Sequence, residues 1–244
     1  MANEFYQQGP ARASRVRRLF DTIAPRYDLV NDVQSLGLHR FWKSAMLRRS
    51  GLARSQTALD LCCGTGDVAF LMSRTGARVL GADFSIPMLK VAEGKAESSK
   101  DLKTMPVFLA SDALRLPFAA NQFDVITISY GLRNLADLPG GLREMLRVAK
   151  PGGKILVLDF GKPDFGPWRG LYFTYLRCAV PAFGWLFHRN AAAYAYILES
   201  LTHYPAQHGV QQAMLETGYQ KPQIHSILGG VMTINYGDKP LGKG

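Results

Sequence analysis

An α/β fold built on a doubly wound, mainly parallel sheet follows from three features of the sequence. Short apolar runs alternate with helix-patterned segments between residues 57 and 160. The first run breaks at its carboxyl end into a small-residue loop, Cys62-Cys63-Gly64-Thr65-Gly66. Two strand-like runs near the C-terminus are joined through Gly229-Gly230, the pattern of an antiparallel pair closing a sheet edge.

The elements follow in order. Residues 11–48 read as helical, with basic and apolar residues interleaved and a break at Pro25. TALDL (57–61) is a first strand, and 66–76 has helical spacing that stops at Gly76. Residues 77–83 form a second strand, followed by the helix IPMLKVAEGKAESS, with proline near its start. A third strand is expected at 105–112 and a fourth at 123–129, then a helix at 140–150, a PGG turn at 151–153 and a fifth strand at 154–160. The rhythm then gives way to a long aromatic segment, read as a helical lid insertion. A helix at 209–219, the strand KPQIHSIL and a last strand at 230–238 complete the chain. With no internal repeat or low-complexity tract, one domain is expected: a helical cap (1–50), a ligand-binding core (51–160), the lid (161–205), and a closing helix and hairpin (206–244).

Composition narrows the class. The chain has 244 residues, 47% of them hydrophobic, enough for one sizeable core. No signal-peptide core opens it, and no run of about 18 uncharged apolar residues predicts a membrane-spanning helix. Three cysteines (Cys62, Cys63, Cys178) are too few for a disulfide framework and point to a reducing cytoplasm. The histidines stand without ligand partners, so no metal is expected. A net charge of +10 suits nucleic acid, an anionic membrane surface or an acidic ligand, and equally a merely solvated basic surface.

In open α/β sheets ligands bind beyond the carboxyl ends of the strands, where the loop at 62–66 sits. Its small residues let a ligand lie against backbone N–H groups; a structural turn without a ligand is the alternative. Asp83 ends the second strand, where a carboxylate can accept hydrogen bonds from both hydroxyls of a ribose, in a nicotinamide enzyme as in others. Asp112 follows the third strand and can receive the exocyclic amine of adenine, or serve as a helix cap or turn residue.

LDLCCGTGD, GADFSIPML, SDALRLPF, FDVITISYGLRN and RVAKPGGKILVLDFGKP resemble the ordered motifs of class I S-adenosylmethionine-dependent methyltransferases, which have a Rossmann-like fold. FDTIAPRYDLVNDVQSLGLHRFWK (20–43) and YGLRN (130–134) narrow the resemblance to the ubiquinone/menaquinone biosynthesis C-methyltransferase family. It covers residues 15–163 strongly and the chain to about 236 more weakly. The resemblance implies S-adenosyl-L-methionine as methyl donor. Thr65 and the loop backbone at Gly64 and Gly66 would contact its methionine portion, Asp83 its ribose, and Asp112 and Ala113 its adenine, with Ser129 beside it at the end of the fourth strand. Where the common superfamily loop has glycine, this sequence has Cys62. Both loop cysteines read as small packing residues and not as nucleophiles.

The resemblance also implies a prenylated quinol as acceptor. Demethylmenaquinol converted to menaquinol leads, with 2-methoxy-6-polyprenyl-1,4-benzoquinol of the ubiquinone pathway or another small or lipid acceptor as alternatives. Carbon attacks a sulfonium methyl only if the ring feeds it electrons, and a phenol with a pKa near ~10 needs help to ionise. Arg133, just after the fourth strand, can stabilise the phenolate or orient a water; a salt bridge to a helix or lid carboxylate is the equal alternative. Asp32 and His39 are second-rank candidates for proton handling, His39 more as a structural histidine. A polyprenyl tail brings the protein to the membrane, with the aromatic stretch 165–187 and the basic ARASRVRR segment as its contacts at the inner face of the cytoplasmic membrane. The same aromatics can instead fill the core of the lid. An NAD-dependent oxidoreductase leaves Asp112 without a role, and an RNA-binding protein lacks a stacking platform, so no nucleic acid partner is expected.

Overall fold

The computed structural model describes residues 12–188 and 200–242. Three N-terminal helices come first: α1 (Arg12–Ile23), α2 (Tyr27–Ser35) and α3 (Leu38–Ser50), with a 3₁₀ turn at Ala24–Arg26 between the first two. Pro25 makes the expected break. A second break, at Leu36 (φ 50°) and Gly37 (φ 75°), was not marked by any proline. Then follow β1 (Thr57–Leu61), α4 (Asp67–Ser73), β2 (Arg78–Asp83), α5 (Ile86–Ser98), β3 (Val107–Ala110), β4 (Phe123–Ser129), α6 (Leu138–Val148) and β5 (Ala149–Phe160). The C-terminal part holds α7 (Gly166–His188), α8 (Ala206–Glu216), β6 (Gln220–Ile227) and β7 (Met232–Asp238).

The seven strands run in the order β3-β2-β1-β4-β5-β7-β6. All neighbours up to β5 pair in parallel, and β7 is antiparallel to both β5 and β6. This is the mainly parallel, doubly wound sheet with an antiparallel closure that the sequence predicts. Alternate residues of each strand face opposite layers, because the side-chain period is two. Along β5, Ile155 and Val157 join Leu142, Met145 and Met214 on one face. Leu156 and Leu158 join Trp42, Met46 and Val68 on the other.

Several boundaries move for local reasons. The third strand ends at Ala110 because Asp112 Oδ1 accepts the Leu114 N–H at 2.9 Å and turns the chain away. Helix α6 starts at Leu138, two residues before the expected 140, because Asp137 accepts the Gly140 N–H and Pro139 presets the first turn. The closing helix runs over 206–216 rather than 209–219, since Gly218 (φ 98°) takes the chain out of it. The PGG segment, expected as a turn ahead of the fifth strand, is a bulge inside β5. Phe123 pairs with Ala149 and Val125 with Lys154, leaving Pro151–Gly153 out of register.

Helix α7 occupies the expected lid insertion. Tyr172 and Leu176 are buried in the core, while Leu171 and Tyr175 of the same helix, and Phe165 just ahead of it, are exposed. Side chains at 179–188, and residues 189–199 altogether, lie outside the described part of this insertion.

A chain of charges fastens the N-terminal helices to the sheet. Asp28 of α2 accepts from Thr65 Oγ1 in the loop after β1, and from Lys95 Nζ of α5 at 2.9 Å. Lys95 also bonds Asp67 (3.0 Å), whose other oxygen takes Lys43 of α3 (2.8 Å). Asp21 of α1 accepts from Ser85 Oγ beyond β2. Burial alone would raise the Asp67 carboxyl, but Lys43 and Lys95 more than offset it and hold it well below the usual carboxylate range. Asp67→Asn leaves the 7%-exposed Lys43 side chain without its counter-charge, and should cost about 1–3 kcal/mol of stability. Because the folded-state value is depressed, Asp67 stabilises above the ordinary carboxylate range and its contribution fades as pH falls. Urea unfolding should show the widest gap between wild type and variant at neutral pH, narrowing below about pH 4. A gap constant down to acid pH would refute the ion-pair account.

Candidate active site

One cavity opens over the carboxyl ends of β1, β2 and β4, enclosing about 910 Å³ with its open mouth. Cys62 and Gly64 form its floor after β1, Asp83 and Ser85 one side, Asp112 and Ala113 the far side, and Ser129 and Tyr130 the end of β4. The N-terminal helices roof it through Val16, Phe20 and Tyr27.

Asp83 is anchored by backbone. Its Oδ2 accepts the Gly64 N–H at 2.8 Å and its Oδ1 the Ser85 N–H at 2.8 Å. Burial pushes this carboxyl up, and the N–H groups of Ser85 and Gly64 offset only part of that. A carboxylate oxygen has lone pairs beyond the one each N–H uses, so Asp83 keeps acceptor capacity for a diol in the cavity. Asp112 keeps Oδ2 in the same way, and the 8%-exposed Ala113 presents its edge beside it.

The glycine loop divides into two roles. Gly64 (φ 55°) borders the cavity, and a Cβ built on it would come within 3.6 Å of the Tyr27 ring. Gly66 (φ 89°) lies behind the wall, where a Cβ would stand 2.8 Å from Phe70 and 3.2 Å from Ala92, so it serves the packing of α4 and α5. Thr65 is buried with its hydroxyl committed to Asp28, turned from the cavity towards the N-terminal clasp. Of the three loop residues expected to meet a ligand, the structure brings Gly64 to the cavity and sets Thr65 and Gly66 outside it.

Cys62 adopts φ 50°, in the left-handed region that glycine enters freely, at a cost of about 1–2 kcal/mol for a residue with a Cβ. Its neighbour accommodates it: a Cβ on Gly131 would lie 2.6 Å from Cys62 Cβ and 2.7 Å from its Sγ. Burial pushes both loop thiols well up, as do the carboxylates around them, Asp83 first. Buried neutral thiols act as packing groups.

Arg133 sits in the 3₁₀ turn Leu132–Asn134 after β4 and is 8% exposed. Its guanidinium pairs with Asp159 of β5 and lies 5.0 Å from the centre of the Phe160 ring. The carboxylate partner therefore comes from a strand, where the sequence suggested a helix or lid. Tyr130, Gly131 and Asn134 line the cavity on either side of Arg133 in sequence, while Arg133 and Asp159 themselves lie behind its lining. Asp32 and His39 stand apart from the cavity. His39 is 3% exposed, and its Nε2 meets Asp32 Oδ1 at 2.7 Å, while Arg40 takes the same carboxylate. Burial lowers the imidazole. Tyr27, Ser85 and Asp159 were not singled out from the sequence; DF at the end of the fifth strand was the available signal for the last.

The profile of the ubiE/COQ5 methyltransferase family matches residues 9–239. The chain belongs to this family. The protein is accordingly a methyltransferase. It is 38% identical over 224 residues to the demethylmenaquinone methyltransferase of Renibacterium salmoninarum, covering 92% of each chain. It is 38% identical over 232 residues to the ubiquinone/menaquinone biosynthesis C-methyltransferase UbiE of Erwinia tasmaniensis, covering 93% of this chain and 92% of that one. Among solved structures, it resembles a SAM-dependent methyltransferase from Aquifex aeolicus with a TM-score of 0.61 at 19% identity, over 86% of this chain and 98% of the other. A phosphoethanolamine N-methyltransferase from Haemonchus contortus, solved with S-adenosyl-L-methionine, gives a TM-score of 0.60 at 17% identity, over 81% of this chain and 52% of that one. At such identities the likeness speaks for the fold, the Rossmann-like sheet of this methyltransferase family.

Cys62 and Gly131 should behave as one unit. Gly131→Ala alone forces Cys62 to move and should cost about 1–3 kcal/mol. Cys62→Gly removes both atoms that the new methyl would strike, together with its own backbone strain. In the double variant the loss should shrink by at least about 1 kcal/mol relative to the sum of the single changes. Additive losses in thermal unfolding would show that the two residues do not share the space.

Proposed function

We propose that this methyltransferase uses S-adenosyl-L-methionine to C-methylate a prenylated quinol, demethylmenaquinol to menaquinol. The observation that carries the reading is a cavity with a nucleoside-type donor set and, behind its lining, a buried, fixed guanidinium. Asp83, Asp112, Ala113 and Gly64 suit the ribose, adenine and chain of the donor, and Ser129 stands beside them. The cradle at Gly64, which a Cβ would begin to fill, fits the same group. A second reading, methylation of 2-methoxy-6-polyprenyl-1,4-benzoquinol, is favoured by the relatives named for both quinone pathways.

When bound, the donor supplies an electrophilic methyl. The protein's part is to ionise and align the acceptor. Asp159 and Phe160 hold the Arg133 guanidinium in place, so it needs no reorganisation as charge develops on a ring oxygen. A positive charge there favours the phenolate and lowers a pKa that is otherwise near ~10. The electron pair of that oxygen then drives the adjacent ring carbon onto the methyl. Phe20 and Tyr27 overhead exclude water from the donor side.

Calorimetry should show Asp83→Ala losing about 1–3 kcal/mol of S-adenosyl-L-methionine affinity, with wild-type affinity counting against the donor site. In an anaerobic assay the quinol should be methylated and the oxidised quinone should not, since an electron-poor ring cannot attack. Equal rates would overturn the phenolate mechanism. Quinone profiling of a deletion strain, with and without the gene, identifies the head group: demethylmenaquinone should accumulate and vanish on complementation.

A prenylated acceptor requires contact with lipid. The exposed Phe165, just ahead of α7, and Leu171 and Tyr175 of α7 support it, as do Leu36 and Phe41 near the basic α1 and α3. Among the described residues no helix is long and apolar enough to cross a membrane, so the contact is peripheral. Co-sedimentation with vesicles should need anionic lipid and should weaken as ionic strength rises. Equal pelleting with neutral vesicles, or none with either, would exclude it.

A further inference from the structure

Near the Arg133–Asp159 pair lie polar atoms with no hydrogen-bond partner among the described residues. Asp159 is 1% exposed. Its Oδ1 accepts from Arg133 and from the Phe160 N–H at 2.9 Å. Its Oδ2 is buried and has no hydrogen-bond partner among the described residues. The same holds for two hydroxyls, those of Tyr130 and Tyr172. Tyr130 follows β4, lines the cofactor cavity and is held at φ 58°. Tyr172 comes from α7 and is 6% exposed. Both tyrosines lie close enough to feel the charges of Arg133 and Asp159.

Buried polar atoms are nearly always satisfied, and each exception calls for an occupant or a reason. Here one bare acceptor belongs to the ion pair itself and two hydroxyls able to donate lie close enough to feel its charges, and of these groups Tyr130 lines the methyl-donor cavity. A carboxylate oxygen receives an O–H, and a tyrosine hydroxyl donates to the oxygen that carried it. Resting on the quinol reading above, we propose that Asp159 Oδ2, Tyr130 and Tyr172 form the socket for the reacting ring hydroxyl, with Asp159 as the group that takes its proton. The O–H bond breaks and the proton goes to Asp159, while the pair left on oxygen feeds the ortho ring carbon. That carbon forms the new C–CH₃ bond as the S–CH₃ bond breaks with its pair on sulfur. The ring C–H proton then leaves to water, its pair restoring the aromatic ring, and Asp159 returns its proton to the ring oxygen. One proton is released overall. Burial pushes the Asp159 carboxyl up, and Arg133 offsets only part of this, which suits a proton acceptor. The groups facing Asp159 are Arg133 after β4, Tyr130 at the end of β4, Cys62 after β1, Tyr172 of α7 and Tyr204 ahead of α8. Asp159 is the carboxylate among them. Because Tyr172 belongs to α7, the lid insertion supplies part of the socket.

The test begins without the methyl donor. Calorimetry compares 3-prenyl-1-naphthol, whose hydroxyl is ortho to the ring carbon that would take the methyl, with 2-prenylnaphthalene, which lacks the hydroxyl. Wild type should prefer the naphthol at least about tenfold, and Tyr172→Phe, Tyr130→Phe and Asp159→Asn should each erode that preference severalfold. With donor and quinol, kcat/KM of wild type should fall as pH is lowered through the Asp159 pKa. Asp159→Asn should lower kcat about 100-fold or more and abolish that acid limb, while Tyr172→Phe keeps the limb and raises KM. An unchanged hydroxyl preference in the tyrosine variants, as when water alone fills the socket, overturns the proposal. So does an Asp159→Asn enzyme with a wild-type acid limb. If Asp159→Asn fails to fold, the tyrosine variants decide. A hydroxyl preference that behaves as expected in a wild type making no methylated quinol supports the socket and removes the quinol reading.

Discussion

Strand order reverses at β1, with β2 on one side and β4 on the other, and the site rests on this reversal. The connections leaving β1 and β4 travel to opposite ends of the sheet, so no crossover can cover the gap between their carboxyl ends. Backbone there must find partners other than a neighbouring strand. The Gly64 and Ser85 N–H groups find the Asp83 carboxylate, and that choice fixes the acid at the rim of the cavity. Ser129 and Tyr130 take the β4 side of the same gap. Had β1 stood at a sheet edge, the same residues would lie along an open flank.

Two groups of charges then do different work. The Asp28–Lys95–Asp67–Lys43 chain is partly open to solvent, with Lys95 at 32% and Asp28 at 37% side-chain exposure. It joins four separate segments, and it is most open to solvent at its Asp28–Lys95 end and closed at Lys43. The Arg133–Asp159 pair is dry, at 6% and 1%. In a dry site each charge is strongly felt and cannot be screened, which is the setting in which a fixed guanidinium can act on a developing anion.

The sheet was legible because short apolar runs alternating with helices leave few arrangements of five parallel strands, and the Gly229-Gly230 hairpin marked the closure. Asp83 and Ser129 were legible as strand-end residues, and Asp112 as a turn residue after the third strand, which ends two positions before it. What escaped depends on contacts between distant segments. Thr65 stands in a loop whose glycines speak of a ligand, yet Asp28, 37 positions earlier, captures its hydroxyl. Gly66 looks like a ligand-facing glycine and is needed against Phe70 and Ala92. Asp159 sits in an apolar strand, and its partnership with Arg133 emerges only when β4 and β5 pair. Cys62 looked like a departure from a glycine rule; the compensation sits at Gly131, in another loop.

The roof over the cavity has a kinetic meaning. Its fastenings, Asp21 to Ser85 and Asp28 to Thr65, end on the loops that follow β2 and β1. Lifting the helices therefore loosens the pocket floor in the same motion. A clasp of this kind sets rigidity against access: each bond that steadies the helices also adds to the barrier for opening the cavity beneath them.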